Sequence, residues 1–264
     1  VNGIFNGKNM AISEPLILGI DSATSVCSVA LVRGDKTIGA ITKKMSRGQA
    51  EELLVMADDV LKKANITTAD IDCVAVSVGP GSFTGLRIGL SSARGLSLSL
   101  SCPCIGVSTF EAAAGAIIAD GENSKNILGQ KKLLIAIETR REDIYAQLFD
   151  ENLLPLSNAS ALHEDELVKI VEPYTEELIV AGDGAGRAIE MLKNNGINAA
   201  SINPDFEHSA VAVCKIAKNK YSKGMDGPPP RPLYLRPPEA KIPPPDSRAI
   251  DTFNTGAQTK PQNS

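Results

Sequence analysis

Apolar and polar residues alternate along this chain in blocks whose period changes in an order that occurs twice. Short apolar-rich runs at Leu16 to Ile20, Val26 to Val32 and Thr37 to Thr42 predict three strands, with Gly34-Asp35 as the turn of the second hairpin. The period then becomes helical. Leu53, Ala57, Val60, Leu61 and Ala64 form one apolar face of a helix from Gln49, and Ser46 with Gln49 has the spacing of a capping box. Thr67 and Asp70 repeat that spacing over one short turn. Cys73 to Val78 is nearly continuous apolar sequence, as expected of a strand covered on both faces. A helix reaching Leu100 and a strand from Cys104 to Val107 complete the series.

The second half starts again. Leu133 to Glu138 can be laid over Leu16 to Asp21 without a gap, and Asp143 to Phe149 over Val26 to Val32, so both runs reach a carboxylate at the same place. A helix from Asp165 to Glu172, a strand from Leu178 to Ala181, the turn Gly182-Asp183-Gly184-Ala185-Gly186 and a helix through Ile189 and Leu192 follow. A last helix, near Ser209 to Tyr221, precedes a proline-rich tail. The pattern predicts an α/β chain of two lobes from a duplicated βββαβα unit, facing one another across a cleft. The expected divisions are 1–14 as a disordered or tag-like extension and 15–107 as the first, partner-binding lobe. The second lobe is expected at 108–208, a helix and proline-rich segment returning to the first lobe at 209–245, and a disordered tail at 246–264. This order resembles the actin, Hsp70 and sugar-kinase (ASKHA, ribonuclease H-like) superfamily. That resemblance implies that Asp21 with Ser22 and Thr24, the pseudo-symmetric Glu138, and the loop at Gly182, Asp183 and Gly184 point to the cleft, where active members bind ATP phosphates and a metal.

Between the first lobe's fourth strand and its second helix lies Gly79-Pro80-Gly81-Ser82-Phe83-Thr84-Gly85-Leu86-Arg87-Ile88-Gly89. Gly79, Pro80 and Gly81 make a turn, and Ser82 or Thr84 can cap the helix. Gly85, Gly89, Ser92, Ala93 and Gly95 then sacrifice helix propensity, at up to about 1 kcal/mol per glycine against alanine. Gly85, Gly89 and Ala93 recur at i, i+4 and i+8, a flat stripe that another backbone can approach closely. That backbone could belong to the chain's own sheet or to a second protein.

Composition narrows the partners. The 264 residues carry a net charge of −4, which disfavours a protein that grips nucleic acid by itself. Five cysteines, Cys27, Cys73, Cys102, Cys104 and Cys214, lie mostly in apolar runs and suggest reduced, buried thiols of a cytosolic protein. Val1 to Glu14 lacks the order of a signal peptide, Met10 offers a natural start, and no apolar run approaches the roughly 20 residues of a membrane span.

Leu18-Gly19-Ile20-Asp21-Ser22-Ala23-Thr24, Cys27-Ser28-Val29-Ala30-Leu31, the loop from Gly79 to Gly89, Gly106-Val107-Ser108-Thr109 and Tyr234-Leu235-Arg236-Pro237 closely resemble the bacterial TsaB family, also called YeaZ, over about Leu16 to Lys241. The resemblance implies a non-catalytic, cytoplasmic subunit of the machinery that places threonylcarbamoyl on adenosine 37 of tRNAs reading codons that begin with adenine. Its implied partners are a TsaD-type catalytic subunit and a TsaE-type ATPase, or a second copy of itself when the partner is absent. It also implies that tRNA is met mainly through the complex, that there is no membrane, and that ATP and metal belong to the partner subunits. The implied interface lies on the first lobe's two helices, through Leu53, Leu54, Ala57, Gly85, Gly89 and Ala93, with Arg87 and Arg94 as anchors. One departure is Glu138-Thr139-Arg140-Arg141-Glu142, where the family more often has Asp-Ala-Arg.

Catalysis by the chain itself finds little support in its residues. The catalytic paralogue's pair of histidines four apart is missing, since Phe110-Glu111-Ala112-Ala113-Ala114 follows Thr109. His163 and His208 stand alone and read as surface residues rather than ligands. Gly79 to Gly85 lacks Gly-Lys-Ser/Thr, and Pro80 removes an N–H that a phosphate would use. The glycines from Gly182 to Gly186 miss the dinucleotide spacing and read as a structural turn. Two other functions stay open at this point: an ATP-dependent kinase or transferase using its own cleft, and a peptidase using Ser82, although Ser82 sits in no nucleophile elbow.

Overall fold

The structure is a computed structural model that describes residues 14–45, 48–119, 129–139, 141–202, 206–224 and 228–236. The extension before Glu14, Ser46 of the expected cap and the prolines from Pro237 onward lie outside the described residues. Two five-stranded mixed sheets form the frame. The first contains β1 (Leu16–Asp21), β2 (Val26–Arg33), β3 (Lys36–Lys44), β4 (Cys73–Gly79) and β5 (Cys104–Ser108) in the order β3-β2-β1-β4-β5. The second contains β6 (Lys132–Ile137), β7 (Ile144–Phe149), β8 (Ser160–Leu162), β9 (Leu178–Ala181) and β10 (Ala200–Ser201) in the order β10-β9-β6-β7-β8. In each, the founding strand pairs antiparallel with its hairpin neighbour and parallel with the strand that follows a helix. The two sheets therefore share one topology, and the duplicated actin-like unit expected from the sequence is the architecture observed.

Helices cover these sheets as the apolar runs require. α1 (Gln49–Ala64) and α2 (Phe83–Leu100) pack on one face of the first sheet, joining Leu18, Ile20, Val29 and Val76 in one core. α6 (Ala210–Ser222) covers the opposite face with Ala210, Val213, Cys214 and Ala217, against Ile17, Ala30, Val32 and Ala75. The fit is close, because a Cβ added at Gly19 would stand 2.4 Å from Cys214 Sγ and 2.7 Å from the Ala210 carbonyl oxygen. α3 (Thr109–Ala119) is made of small and apolar residues because it sits between the lobes: Ala112 packs under the first sheet, and Phe110, Ala113 and Ile117 pack against Leu133 and Ile135 of the second. α4 (Glu164–Val171) and α5 (Ala185–Asn194) close the second sheet's other face through Leu167, Ala188 and Leu192.

The caps differ in part from expectation. α1 is preceded by Gly48 in the left-handed region at φ 82°, which supplies no side-chain cap. Gln49 is buried and turns its amide back toward the Met45 carbonyl. Thr67 and Asp70 do form their box, around a single 3₁₀ turn. Ser82 caps α2, its Oγ accepting the Gly85 N–H at 3.2 Å. No helix among the described residues is long and apolar enough to cross a membrane.

The five thiols are free, and four are buried. Burial pushes Cys27 up to about 11, helped by Asp21 and Glu52, and pushes Cys104 up to about 12. Burial likewise pushes Cys73 and Cys214 up. A maleimide reagent at neutral pH is thus expected to label the native chain slowly and all five cysteines at once after denaturation. Rapid native labelling at any of them would contradict the packing described here.

Candidate functional site in the interlobe cleft

Both founding strands end at the cleft. Asp21 closes β1; its Oδ1 accepts the Ala23 N–H at 3.1 Å, while Oδ2 is buried without a hydrogen-bond partner among the described residues. Ser22 is held twice, its N–H donating to Ser77 Oγ at 3.4 Å and its Oγ to the Gly85 carbonyl at 2.8 Å. Thr24 Oγ1 accepts the Val26 N–H and steadies the return into β2. On the facing side Glu138 follows β6; its N–H donates to Asp183 Oδ1 at 3.1 Å, and its carboxylate lies 3.1 Å from Arg187.

The glycine turn after β9 is sealed by its own neighbours. Gly182 has φ +102°, and a Cβ there would meet the Ala136 oxygen at 2.1 Å. Gly184 donates its N–H to that same oxygen at 3.1 Å. The structure places only some of the residues singled out from the sequence at one cavity. Thr24, Glu138 and Asp183 line a cavity of about 830 Å³, whereas Asp21, Ser22, Gly182 and Gly184 are not among its lining residues. Several backbone donors that could cradle a polyphosphate are already engaged: Ser22, Ala23, Ser82, Glu138 and Gly184 all give their N–H to the chain itself. Among the described residues no group of three or more His, Cys, Asp or Glu is placed to hold a metal.

His208 corrects the expectation of a surface histidine. It is 3% exposed, meets Phe206 edge-on at 5.0 Å, and places Nε2 3.3 Å from Asp183 Oδ1, off the hydrogen-bond line. Burial by itself pushes its pKa down. Asp183, and then Asp21, more than offset burial and hold the imidazole above the usual histidine value. His163 is exposed, as expected, at the N-cap of α4.

The small-residue stripe also needs correction as an interface. Gly85, Gly89 and Ala93 face inward: a Cβ at Gly85 would stand 2.1 Å from the Ser22 oxygen, and one at Gly89 2.4 Å from Ser22 Oγ. Leu53 and Ala57 are core residues as well. The small side chains let α2 press on its own sheet, which leaves these five unavailable to a partner. Leu54 does lie outside, at 49% exposure, beside Val55 on α1 and Leu98 at 83% on α2. The same outer side of α2 holds Gly95, where an added Cβ would meet nothing within 4 Å.

Arg87 and Arg94 are anchors of another kind. Both hold a strap of the chain's own, residues 228–236. Arg94 grips the Pro230 carbonyl, with Nε at 3.1 Å, and Arg87 Nε donates to the Tyr234 hydroxyl at 3.1 Å. The Leu233 N–H bonds the Val78 oxygen at 2.7 Å, and Arg236 forms an ion pair with Asp143 of the second lobe. The strap therefore touches both lobes and supplies one wall of the cavity. Sequence reasoning gave Phe83, Tyr145, Tyr234 and Arg236 no role in the cleft. They come from positions up to 153 residues apart in numbering, 236 − 83, so no local spacing could have paired them.

Comparison with known proteins gives a consistent picture. A family model described as TsaD, tRNA N6-adenosine threonylcarbamoyltransferase, matches residues 33–242. A relative from Escherichia coli strain K12, the tRNA threonylcarbamoyladenosine biosynthesis protein TsaB, is 40% identical over 227 residues, covering 83% of this chain and 94% of that one. Two Pseudomonas aeruginosa structures share the fold. One, described as similar to peptidase YeaZ, has a TM-score of 0.70 at 22% identity; the other, YeaZ itself, has 0.65 at 21%, and each covers 84% of this chain and 100% of that one.

Proposed function

Because this chain belongs to the TsaB (YeaZ) family, we propose that it takes part in tRNA threonylcarbamoyladenosine biosynthesis as a non-catalytic, cytoplasmic scaffold. In this reading it binds a TsaD-type subunit that transfers threonylcarbamoyl to adenosine 37 of tRNAs reading codons that begin with adenine, and helps that pair receive a TsaE-type ATPase. The observation that carries the reading is the outer side of α1 and α2. Leu54, Val55 and Leu98 leave large apolar side chains in water there, and Gly95 removes the bulk that would keep a partner helix away. A second copy of the chain can cover the same side when the partner is absent. The engaged backbone donors of the cleft support a chain that holds no nucleotide of its own and leaves ATP and metal to its partners.

Leu98→Glu and Gly95→Glu test this reading. Both positions are exposed on α2, so thermal unfolding is expected to stay close to that of the wild type. Co-elution with the TsaD-type subunit, and threonylcarbamoyl transfer to unmodified tRNA by the mixture with TsaE, are expected to fall at least about tenfold, as for charge buried at the centre of an interface. Full transfer and co-elution by both variants would place the interface elsewhere. Transfer by this chain alone would overturn the scaffold.

A further inference from the structure

The mouth of the cleft gathers aromatic rings and arginines, of which Arg87, Tyr234 and Arg236 also dock the strap. The chain has six phenylalanines, four tyrosines and no tryptophan, yet Phe83, Tyr145 and Tyr234 line the same cavity. They come from α2, β7 and the strap. Phe83 and Tyr234 lie with ring centroids 5.4 Å apart and planes at 31°. Neither is a core residue, since they are 49% and 43% exposed. The Arg87 guanidinium sits 3.8 Å from the Phe83 centroid and that of Arg236 5.0 Å from Tyr145. Arg236 is neutralised by Asp143. Arg87 has only the ring and the Tyr234 hydroxyl, with no carboxylate partner among the described residues. Glu138 and Asp183 also line the space, but Arg187 and His208 answer their charges.

Wet aromatic faces beside guanidinium planes are suited to a flat π-system carrying an anion, and arginine suits phosphate through its planar fork. A cavity of about 830 Å³ lies within the usual range of roughly 300–1,000 Å³ for a ligand of nucleotide size. The backbone donors deeper in the cleft are engaged by the chain, so a polyphosphate finds little to hold it there. What the mouth offers is a stacking surface and, at Arg87, a guanidinium with no carboxylate partner among the described residues. Unpaired RNA bases, splayed out and stacked on aromatic rings, are recognised by this combination.

We propose that this pocket receives one unstacked nucleotide of a single-stranded RNA loop, its base against Phe83 and Tyr234 and its phosphate at Arg87. The proposal rests on the reading of this chain as a subunit that acts on tRNA, and adds that RNA touches this chain directly. The surface involved is the cleft mouth, not the outer side of α1 and α2.

Fluorescence anisotropy of the full chain with a fluorescein-labelled RNA stem-loop tests it, against a fully paired duplex of equal length and against AMP and ATP as competitors. Phe83→Leu and Arg87→Gln are each expected to weaken loop binding about tenfold. Arg87→Gln should also reduce the dependence of log affinity on log salt by about one, and a Lys193→Gln control on the second lobe should change neither. Unchanged affinity in both pocket variants, equal binding of the duplex, no binding of the loop by the wild-type chain at low salt, or displacement by AMP at concentrations comparable to the RNA would each overturn it. The last outcome would assign the site to free nucleotide. Co-elution with the TsaD-type subunit is measured on the same proteins. Co-elution without loop binding sinks the pocket and leaves the scaffold, and loop binding without co-elution does the reverse.

Discussion

Replacing Gly85 by valine is expected to cost about 3 kcal/mol of stability or more, with the melting temperature falling by roughly 6–12 °C for a chain of this size. The new Cβ would stand 2.1 Å from the Ser22 carbonyl oxygen, which is backbone at the end of β1 and cannot rotate away. Relief would require α2 to lift from the sheet, and that would break the Ser22 Oγ bond to the Gly85 carbonyl and loosen Leu86, Leu90 and Ala93. Gly95, ten residues along the same helix, should respond with the opposite sign. An added Cβ there meets nothing, so Gly95→Ala recovers helix propensity and is expected to stabilise by up to about 1 kcal/mol. Urea denaturation of the two variants settles the comparison. Equal effects would mean that the stripe does not face its own sheet.

The second large effect is expected at His208. A fully buried imidazole held above its usual pKa by Asp183 and Asp21 contributes stability as a cation. That contribution is fully present below the unfolded value of about 6.5 and is lost as pH rises through the higher folded value. The groups that face it are Asp183 from the turn after β9 and Asp21 from the end of β1, with the Phe206 ring on its edge. His208→Leu is expected to remove this falling limb of stability on the alkaline side. It should also cost about 2 kcal/mol at pH 6, where a partly buried carboxylate loses its cation. The measurement is thermal unfolding of both proteins from pH 5 to about 9. Parallel curves across that range would show that the histidine does not titrate with folding.

Much of the fold was legible in the sequence because strands covered on two faces leave continuous apolar runs. Leu133 to Glu138 repeats Leu16 to Asp21 closely enough to reveal the duplication, and the shared strand order bears it out. The features that were not legible have a common physical source. A glycine has no side chain to declare a polarity, so the spacing of Gly85, Gly89 and Ala93 predicts close approach without saying what approaches. Histidine is equally ambiguous, and only the meeting of two lobes puts carboxylates beside His208. At the start of α1 the residue that precedes the helix is Gly48 in the left-handed region, a conformation no spacing of polar residues announces. The rings and arginines at the cleft mouth belong to three remote segments, and no periodicity relates them.

The covering of the first sheet has a consequence for how the protein is made. One face of β1, β2 and β4 is closed by α6, which begins at Ala210, and Cys214 Sγ lies 3.7 Å from the Ile17 oxygen, 197 residues away in sequence. During synthesis the first lobe therefore emerges with α1 and α2 available for one face and only the Ala112 side of α3 for the other. Ile17, Ala30, Val32 and Ala75 stay incompletely covered until α6 has been made. The first lobe is translated before the second yet completed after it, so a nascent chain stalled before Ala210 presents a sticky sheet to whatever chaperone or neighbouring chain is close by.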